Sequence, residues 1–412
     1  MNDPAKLKTL KTFNDPVYGF ITIEDELIFK IIEHPAFQRL RRISQLGLTN
    51  LVYSGANHSR FQHALGAMNL VKNAIAVLRA KGENIDEREE QATKIAVLLH
   101  DVGHGPFSHA LEHSIVLGTS HEEISLRIMS LLNEEFTGQL DLAISVYKGT
   151  HHKKFLHQLV SGQLDVDRLD YLKRDSFFTG VSEGAIGSER LIKMMRIHEG
   201  ELAIEAKALY SLEKFLLARR LMYWQVYLHK AVLSAEFLLL NILKRARELA
   251  MSNVDIWCDS TLSFFIGVNN TPKSNDWIDT FLELDDTSIL YHIKVWQQSS
   301  DRLLSMLCQR LIQRKLLKVS QISEPFSPEK ILAAKSKIAE ELGLSISESN
   351  YLLFQKTLTN TAYETGPDPI KIIYKSGEVK DISETANLFQ YSPLQTPEVK
   401  HFIYYPEGYN PA

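Results

Sequence analysis

EREEQATKIAVLLHDVGHGPFSHALEHSIVLGTSH, residues Glu87–His121, carries the pattern that decides the fold. In its first half Ala92, Ile95, Ala96 and Leu99 recur at helical offsets, so a helix with one buried face runs into His100 and Asp101. The Gly-His-Gly-Pro that follows must end that helix, because two glycines and a proline cannot sustain it. A further helix is expected to restart at Pro106. Adjacent side chains on a helix diverge by roughly 100°, so His100 and Asp101 reach one ion only from a terminal or distorted turn. The break supplies such a turn. Five of the fifteen histidines fall here: His100, His104, His109, His113 and His121. Imidazole titrates near neutral pH and is the commonest neutral metal ligand, so their density points to a metal or proton-transfer site. Capping and surface roles are the plain alternative for any one of them.

Outward from this stretch, helical spacing dominates from Glu33 to about Ala250. Before it, Asp15–Ile28 (DPVYGFITIEDELI) mixes β-formers with a glycine and predicts a short hairpin. Ser211–Leu249 (SLEKFLLARRLMYWQVYLHKAVLSAEFLLLNILKRAREL) reads as one long helix or two abutting ones, buried because it is apolar nearly all round. The composition shifts at about Met251. FFIGVNNTPKSND (264–276) reads as a loop and DRLLSMLCQRLIQRKLL (301–317) as an amphipathic helix. PIKIIYKSGEVKDI (369–382) reads as a hairpin about Ser-Gly, and KHFIYYP (400–406) as a further strand. The expected architecture is mainly α: a helical core with an N-terminal hairpin over residues 1–250, and a smaller C-terminal α+β lobe over 251–412.

The chain has 412 residues, 44% hydrophobic and 23% charged, which is ordinary for a globular protein with a sizeable core. A formal net charge of −4 offers no global basic field for nucleic acid, so an anionic substrate needs a local cluster of cations. Two cysteines, Cys258 and Cys308, make neither a cysteine-rich metal site nor a disulfide framework, and fit a reducing compartment. MNDPAKLKTLKTF lacks the apolar run of a signal peptide. The longest apolar stretch, AEFLLLNIL, is about half what a bilayer span requires. A soluble, cytoplasmic protein is expected.

Four segments stand in order: QLGLTNLVYSGANHSRFQHALG, LLHDVGHGPFSH, SHEE and LDVDRLDYLKRD. Together they resemble the HD superfamily of phosphohydrolases, in particular its deoxynucleoside triphosphate (dNTP) triphosphohydrolase branch, here without the sterile-alpha-motif of some members. The similarity runs from about Lys11 to Lys230 and is weaker beyond. It implies a metal held by His63, His100, Asp101 and Asp167. The residues alone do not choose Asp167 from its neighbours, since Asp165 could cap a helix and Asp170 could pair with Arg174 at i,i+4. Two imidazoles and two carboxylates suit Fe, Mn, Co, Ni or Zn better than Mg or Ca; Mg would accompany the triphosphate.

The resemblance further implies attack at the α-phosphorus, releasing a deoxynucleoside and inorganic triphosphate. His121 corresponds to the general acid, with Glu112, where the family often has aspartate, orienting it. His104 and His109 correspond to phosphate-contacting histidines, and Arg60 and Arg219 to phosphate-contacting cations. Arg168 stands where lysine is frequent. Tyr171 and Tyr227 would pack on the sugar and base, and Asp175 would face the 3′-hydroxyl. Gln45-Leu46-Gly47 corresponds to the segment that lies on the sugar and leaves little room for a 2′-hydroxyl. Lys11, Asn14, Glu33, Gln38 and Arg41 correspond to an activating-nucleotide site between subunits, with Glu33 where an aspartate reads guanine, which implies a homo-oligomer, dimer or tetramer. A solvated helix glutamate at Glu112 and a solvated Arg-Leu-Arg-Arg face are the plain alternatives. Two other functions remain open: an HD phosphatase or phosphodiesterase acting on another nucleotide or on nucleic-acid ends, and a nucleic-acid-binding protein without turnover.

Overall fold

Helices built from the quoted stretch and its neighbours carry the centre of the molecule. The computed structural model describes residues 10–112, 114–267, 277–360, 369–385, 398–409 and 411. A hairpin, β1 (Lys11–Asp15) and β2 (Gly19–Ile23), leads into α1 (Glu26–Glu33). Then follow α2 (Arg60–Ala80), α3 (Glu87–Leu99), α4 (His121–Glu135), α5 (Asp141–Tyr147), α6 (Lys154–Val160) and α7 (Val166–Thr179). Asp86 and Glu89 start α3 as a capping box, each side chain accepting the other's backbone N–H at 2.8 and 2.9 Å. α2 is buried along most of its length and packs on both α3 and α7. Each Leu or Ile it removes from water stabilises the fold by about 1.5–3 kcal/mol before entropy is counted.

The chain is mainly α-helical with a smaller C-terminal lobe, as expected. A strand pair, β3 (Met195–His198) and β4 (Glu201–Glu205), precedes α8 (Leu209–Met222) and α9 (Lys230–Met251). After α10 (Asp286–Trp296) and α11 (Arg302–Ile312) comes β5 (Lys318–Ile322), then α12 (Pro328–Leu342) and β6 (Phe354–Asn360). The chain ends with β7 (Lys371–Ile373), β8 (Val379–Asp381) and β9 (Glu398–Tyr405). β9 lies between β5 and β6, antiparallel to both. β4 pairs in parallel with β7, joining a strand of the first 250 residues to the C-terminal hairpin.

Several expectations are corrected. The N-terminal hairpin begins earlier, at Lys11, because Asp15 and Gly19 close its turn and residues from Glu26 already form helix. No α-helix restarts at Pro106; a single 3-10 turn, Ser108–Leu111, follows Phe107, whose φ of 57° breaks the helical path. The 211–249 segment, by contrast, is two abutting helices, one of the two forms expected: α8 and α9 joined by a π-helical turn at Tyr223–Tyr227 and bent by 56°. The β3–β4 pair lies inside a region expected to be helical, where strands of four and five residues are too short to stand out. The loop at 264–276 opens with the end of a helix, Ser260–Ile266, and its residues from 268 lie outside the described ones. Among the described residues no single helix is long and apolar enough to cross a membrane; α8 and α9 would qualify only together, across the bend.

Candidate metal centre and active site

His63 lies one turn into α2, His100 caps the end of α3, Asp101 follows it, and Asp167 sits in the first turn of α7. The three helices bring His63, His100 and Asp167 into one group of possible metal donors, while Asp101 borders it, facing the two histidines with different oxygens and pairing with Arg60. His63 Nε2 lies 3.1 Å from Asp167 Oδ1 and 3.6 Å from Asp101 Oδ2. His100 Nε2 lies 3.4 Å from Asp101 Oδ1 and 3.6 Å from Asp167 Oδ1. Ligands held about 2.0–2.2 Å from a common ion sit roughly 3–3.5 Å apart, so these separations suit one cation.

The ring orientations agree with this. His63 Nδ1 is 2.8 Å from Asp170 Oδ2, and His100 Nδ1 is 2.5 Å from the Val97 carbonyl. Each imidazole thus donates backwards and presents a bare Nε2 forwards. Both Nε2 atoms are buried without a hydrogen-bond partner; the short approach of His63 Nε2 to Asp167 is off the line of a hydrogen bond. Burial disfavours the charged form of His63, yet the adjacent negative charges of Asp167 and Asp170 outweigh it and raise its pKa to about 10. Burial likewise opposes ionisation of Asp101, and Arg60 with the two histidines outweighs it, holding the carboxyl at about 2. The pocket therefore demands positive charge, and its mixed nitrogen and oxygen donors fit a divalent transition metal.

A second cluster adjoins the first through Asp101. His104 Nδ1 lies 3.3 Å from Asp101 Oδ1, and Arg60 pairs with Asp101 while its Nε donates to Ser108 Oγ at 2.7 Å. The His104 ring lies tilted against His121 at 3.9 Å and meets His109 edge-on at 4.9 Å. Glu112 accepts from both outer rings, at 2.8 Å from His109 Nδ1 and 2.5 Å from His121 Nδ1. Those two hydrogen bonds hold the Glu112 carboxyl far below the usual carboxylate range. Burial, reinforced by Arg60, keeps His104 neutral. One face of the metal pocket is therefore a neutral imidazole, and beyond it an imidazole held by an ionised glutamate.

On another side, Tyr171 and Tyr227 meet edge-on at 6.1 Å, and Tyr227 Oη donates to Asp175 Oδ2 at 2.7 Å. Arg219, with a buried unpartnered Nε, and Arg168 both act on Tyr171 electrostatically. Arg168 Nε itself is engaged with the Gly162 carbonyl at 2.6 Å and Asp165 Oδ2 at 3.2 Å. Gln45 donates its backbone N–H to His58 at 3.1 Å, and His58 Nε2 lies 2.7 Å from Asp175 Oδ1, so the Gln45–Gly47 segment is tied to the tyrosine side. Leu46 is half-buried there. Gly47 has φ 51°, and a β-carbon would meet the Phe107 carbonyl at 3.1 Å; only glycine takes this turn without strain.

The residues expected to hold an activating nucleotide lie apart from the histidines, with Arg41 beside Phe61. Arg41 stacks over the Phe61 ring at 3.6 Å and bonds Gln38 at 2.8 Å, while Phe13 of β1 meets the same ring at 5.8 Å. Glu33 closes α1 and acts on Arg41. Lys11 and Asn14 are exposed on β1 but fall on opposite faces of the ribbon, so one ligand meets both only by gripping its edge. A cavity of about 380 Å³ between β2, α1, α2 and α3 does not touch the histidines; its Lys72 and Lys94 pair with Glu24 and Glu90.

Four residues around the site escaped the sequence reading. Asp170 was legible only as an ion-pair partner of Arg174, and His58 only as a lone histidine. Asp286 accepts the backbone N–H of Phe107 at 2.7 Å and of Ser44 at 2.9 Å, and Arg39 donates to the His104 carbonyl at 2.9 Å. No local signal links Asp286 to a turn so distant in sequence.

The HD domain model matches residues 60–175, and the model of the HD associated region matches 186–258. The chain is 32% identical over 419 residues to the uncharacterized protein YwfO of Bacillus subtilis, covering 98% of this chain and 94% of that one. It is 32% identical over 263 residues to the deoxynucleoside triphosphate triphosphohydrolase SAMHD1 homolog of Dictyostelium discoideum, covering 59% of this chain and 51% of that one. The chain thus spans about half the length of that relative. A phosphohydrolase from Bacteroides thetaiotaomicron superposes with a TM-score of 0.93 at 46% identity, covering 96% of this chain and 100% of that structure.

Proposed function

The chain belongs to the HD-domain superfamily of metal-dependent phosphohydrolases, and we propose that it is a dNTP triphosphohydrolase, converting dNTP and water to a deoxynucleoside and inorganic triphosphate. The observation that carries this reading is the adjacency of two clusters: a nitrogen and oxygen donor pocket, and a histidine held by an ionised glutamate. His63, His100, Asp101 and Asp167 would hold the metal, with Fe, Mn, Co, Ni or Zn suited to the donors. When bound, such a metal supplies Lewis acidity, acidifying water and polarising a phosphoryl oxygen.

The chain's own groups would do the rest. Arg60 and Arg219 would neutralise phosphate oxygens, with His104 and His109 donating hydrogen bonds to them. Arg168 would add charge on the opposite edge, and Mg would accompany the triphosphate. Water would form the new bond to the α-phosphorus, its proton passing to solvent, as the bond to the 5′-oxygen breaks. His121 would deliver the proton to that oxygen from Nε2, since Nδ1 is committed to Glu112. Gln45, Leu46, Tyr171, Tyr227 and Asp175 would bind the sugar, the short Gln45–Gly47 turn disfavouring a 2′-hydroxyl. Residues 1–250 would carry the chemistry, with 251–412 as the buttressing lobe.

The test is to incubate the protein with each dNTP and rNTP plus Mn or Mg and identify products by ion-exchange chromatography. Triphosphate from dNTPs alone is the expected result. Orthophosphate or diphosphate would move the assignment to another HD phosphatase. No turnover with any nucleotide or mixture would favour a non-catalytic binder. The Lys11, Asn14, Glu33, Gln38 and Arg41 group would be an activating-nucleotide site of a homo-oligomer; a size-exclusion profile unchanged by added nucleotides would sink that part.

A further inference from the structure

The N-terminal hairpin reaches the metal pocket through an unbroken line of buried charges. Asp15, at the end of β1, uses one oxygen to shape the hairpin turn: Oδ1 accepts the N–H groups of Val17 and Tyr18, both at 2.9 Å. Its other oxygen, Oδ2, takes Arg174 Nη1 at 2.7 Å. Arg174, fully buried on α7, grips Asp170 with two parallel bonds, Nε to Oδ2 at 2.9 Å and Nη2 to Oδ1 at 3.0 Å. Asp170 Oδ2 is also the atom 2.8 Å from His63 Nδ1. A single carboxylate oxygen is thus shared between the arginine fork and the candidate metal ligand.

The surroundings are built around this line. Gly66 stands one turn beyond His63, where a β-carbon would lie 2.9 Å from Asp170 Cγ and nearer still to Oδ1 and Arg174 Nη2. The Tyr18 ring, next to the hairpin turn, covers the guanidinium at 5.6 Å. Four charged groups spanning three elements are sealed from water, and desolvation of that kind costs several kcal/mol per ion unless the geometry is kept. None of the first three touches the space where substrate would bind. Electrostatic sharing makes the line directional: whatever displaces the Asp15 carboxylate moves Arg174, and the hold of Arg174 on Oδ2 sets how strongly that oxygen orients and polarises His63.

We infer that Asp15 and Arg174 are positioning residues through which the hairpin sets the affinity of the metal centre, acting on His63 by way of Asp170. The inference rests on the reading of His63 as a ligand. It gives the hairpin a route to the chemistry that needs no movement of whole helices.

The experiment uses metal-free full-length protein titrated with Co(II), followed by calorimetry and by the visible d–d spectrum. Asp170→Asn is expected to weaken Co(II) binding about 10- to 100-fold, the usual effect of removing a carboxylate behind a ligating histidine. Asp15→Asn, one step further out, is expected to weaken it about three- to tenfold and to shift the d–d bands. The double variant Asp15→Asn/Asp170→Asn should bind no more weakly than Asp170→Asn alone, because both act through one link. Wild-type affinity and spectrum in Asp15→Asn, or losses that multiply in the double variant, would overturn the inference and leave Asp15 as a fold-holding residue. If Asp15→Asn does not fold by circular dichroism, Arg174→Lys, which keeps the charge and loses the fork, reads the same link with the same expected losses. Failure of the underlying metal reading looks different: wild type takes up no Co(II), or His63→Ala binds it as tightly as wild type.

Discussion

Gly66→Ala isolates the packing that protects the buried ion line. In an ordinary helix interior this change stabilises, by about 1 kcal/mol, because alanine loses less backbone entropy. Here the added methyl would sit 2.9 Å from Asp170 Cγ and closer to Oδ1 and Arg174 Nη2, well inside van der Waals contact. Neither neighbour can retreat. Asp170 is bonded to His63, and Arg174 is bonded to Asp15 and covered by Tyr18. The substitution must therefore part the two, and breaking a fully buried pair costs about 3–5 kcal/mol. Subtracting the helix gain leaves a net loss of about 2–4 kcal/mol. Urea unfolding of the metal-free protein, followed by far-ultraviolet circular dichroism, measures it without the contribution of bound metal. An unchanged midpoint, or a gain near 1 kcal/mol, would refute the reasoning, since it would mean the pair relaxes freely around the methyl.

Other consequences can be measured in the same laboratory. His121→Asn should lower kcat about 10²- to 10⁴-fold with a small change in KM, as expected for loss of a general acid; equal kcat would remove His121 from the reaction. Asp286→Ala leaves the Phe107 and Ser44 N–H groups without their acceptor and should cost about 1–3 kcal/mol of stability, read by the same unfolding assay. Burial alone pushes the Glu236 carboxyl on α9 up to about 8. Because the folded form keeps a proton that the unfolded chain releases near pH 4.5, the penalty is absent below that pH, grows through the interval and levels off above about pH 8. Glu236→Gln should therefore match wild type at pH 4.5 and exceed it by about 2–4 kcal/mol at pH 8; parallel pH profiles would contradict this. Saturating metal at about 100 times its Kd should add about 2.7 kcal/mol, reversed by a chelator.

How much of this was visible in one dimension depended on distance along the chain. His100 and Asp101 were legible because a periodic helix ends on them and the glycines and proline that stop it are adjacent. Asp165 as a cap and Asp170 with Arg174 were legible as i,i+3 and i,i+4 relations within one helix, and both occur. What stayed hidden was the other side of each contact. Asp170 also faces His63, across a sequence gap of 107 residues, and Asp15 meets Arg174 across 159. The β4–β7 pairing was equally silent, since a three-residue strand such as β7 carries almost no period of its own. The Gly-His-Gly-Pro break announces a helix stop in the sequence but not a 3-10 turn, because the left-handed Phe107 is imposed by neighbours, Asp286 among them, rather than by its own propensity.

The dependence of the Phe107 turn on Asp286 also orders events during synthesis. The histidine cluster is complete in the nascent chain once His121 has emerged, yet the carboxylate that fixes its central turn lies in α10. At about 5–20 residues per second, the intervening segment takes roughly 10–30 s to translate. For that interval the histidines and Asp101 are present without the packing that aims them, and a chain halted before α10 would hold every proposed ligand without a finished site.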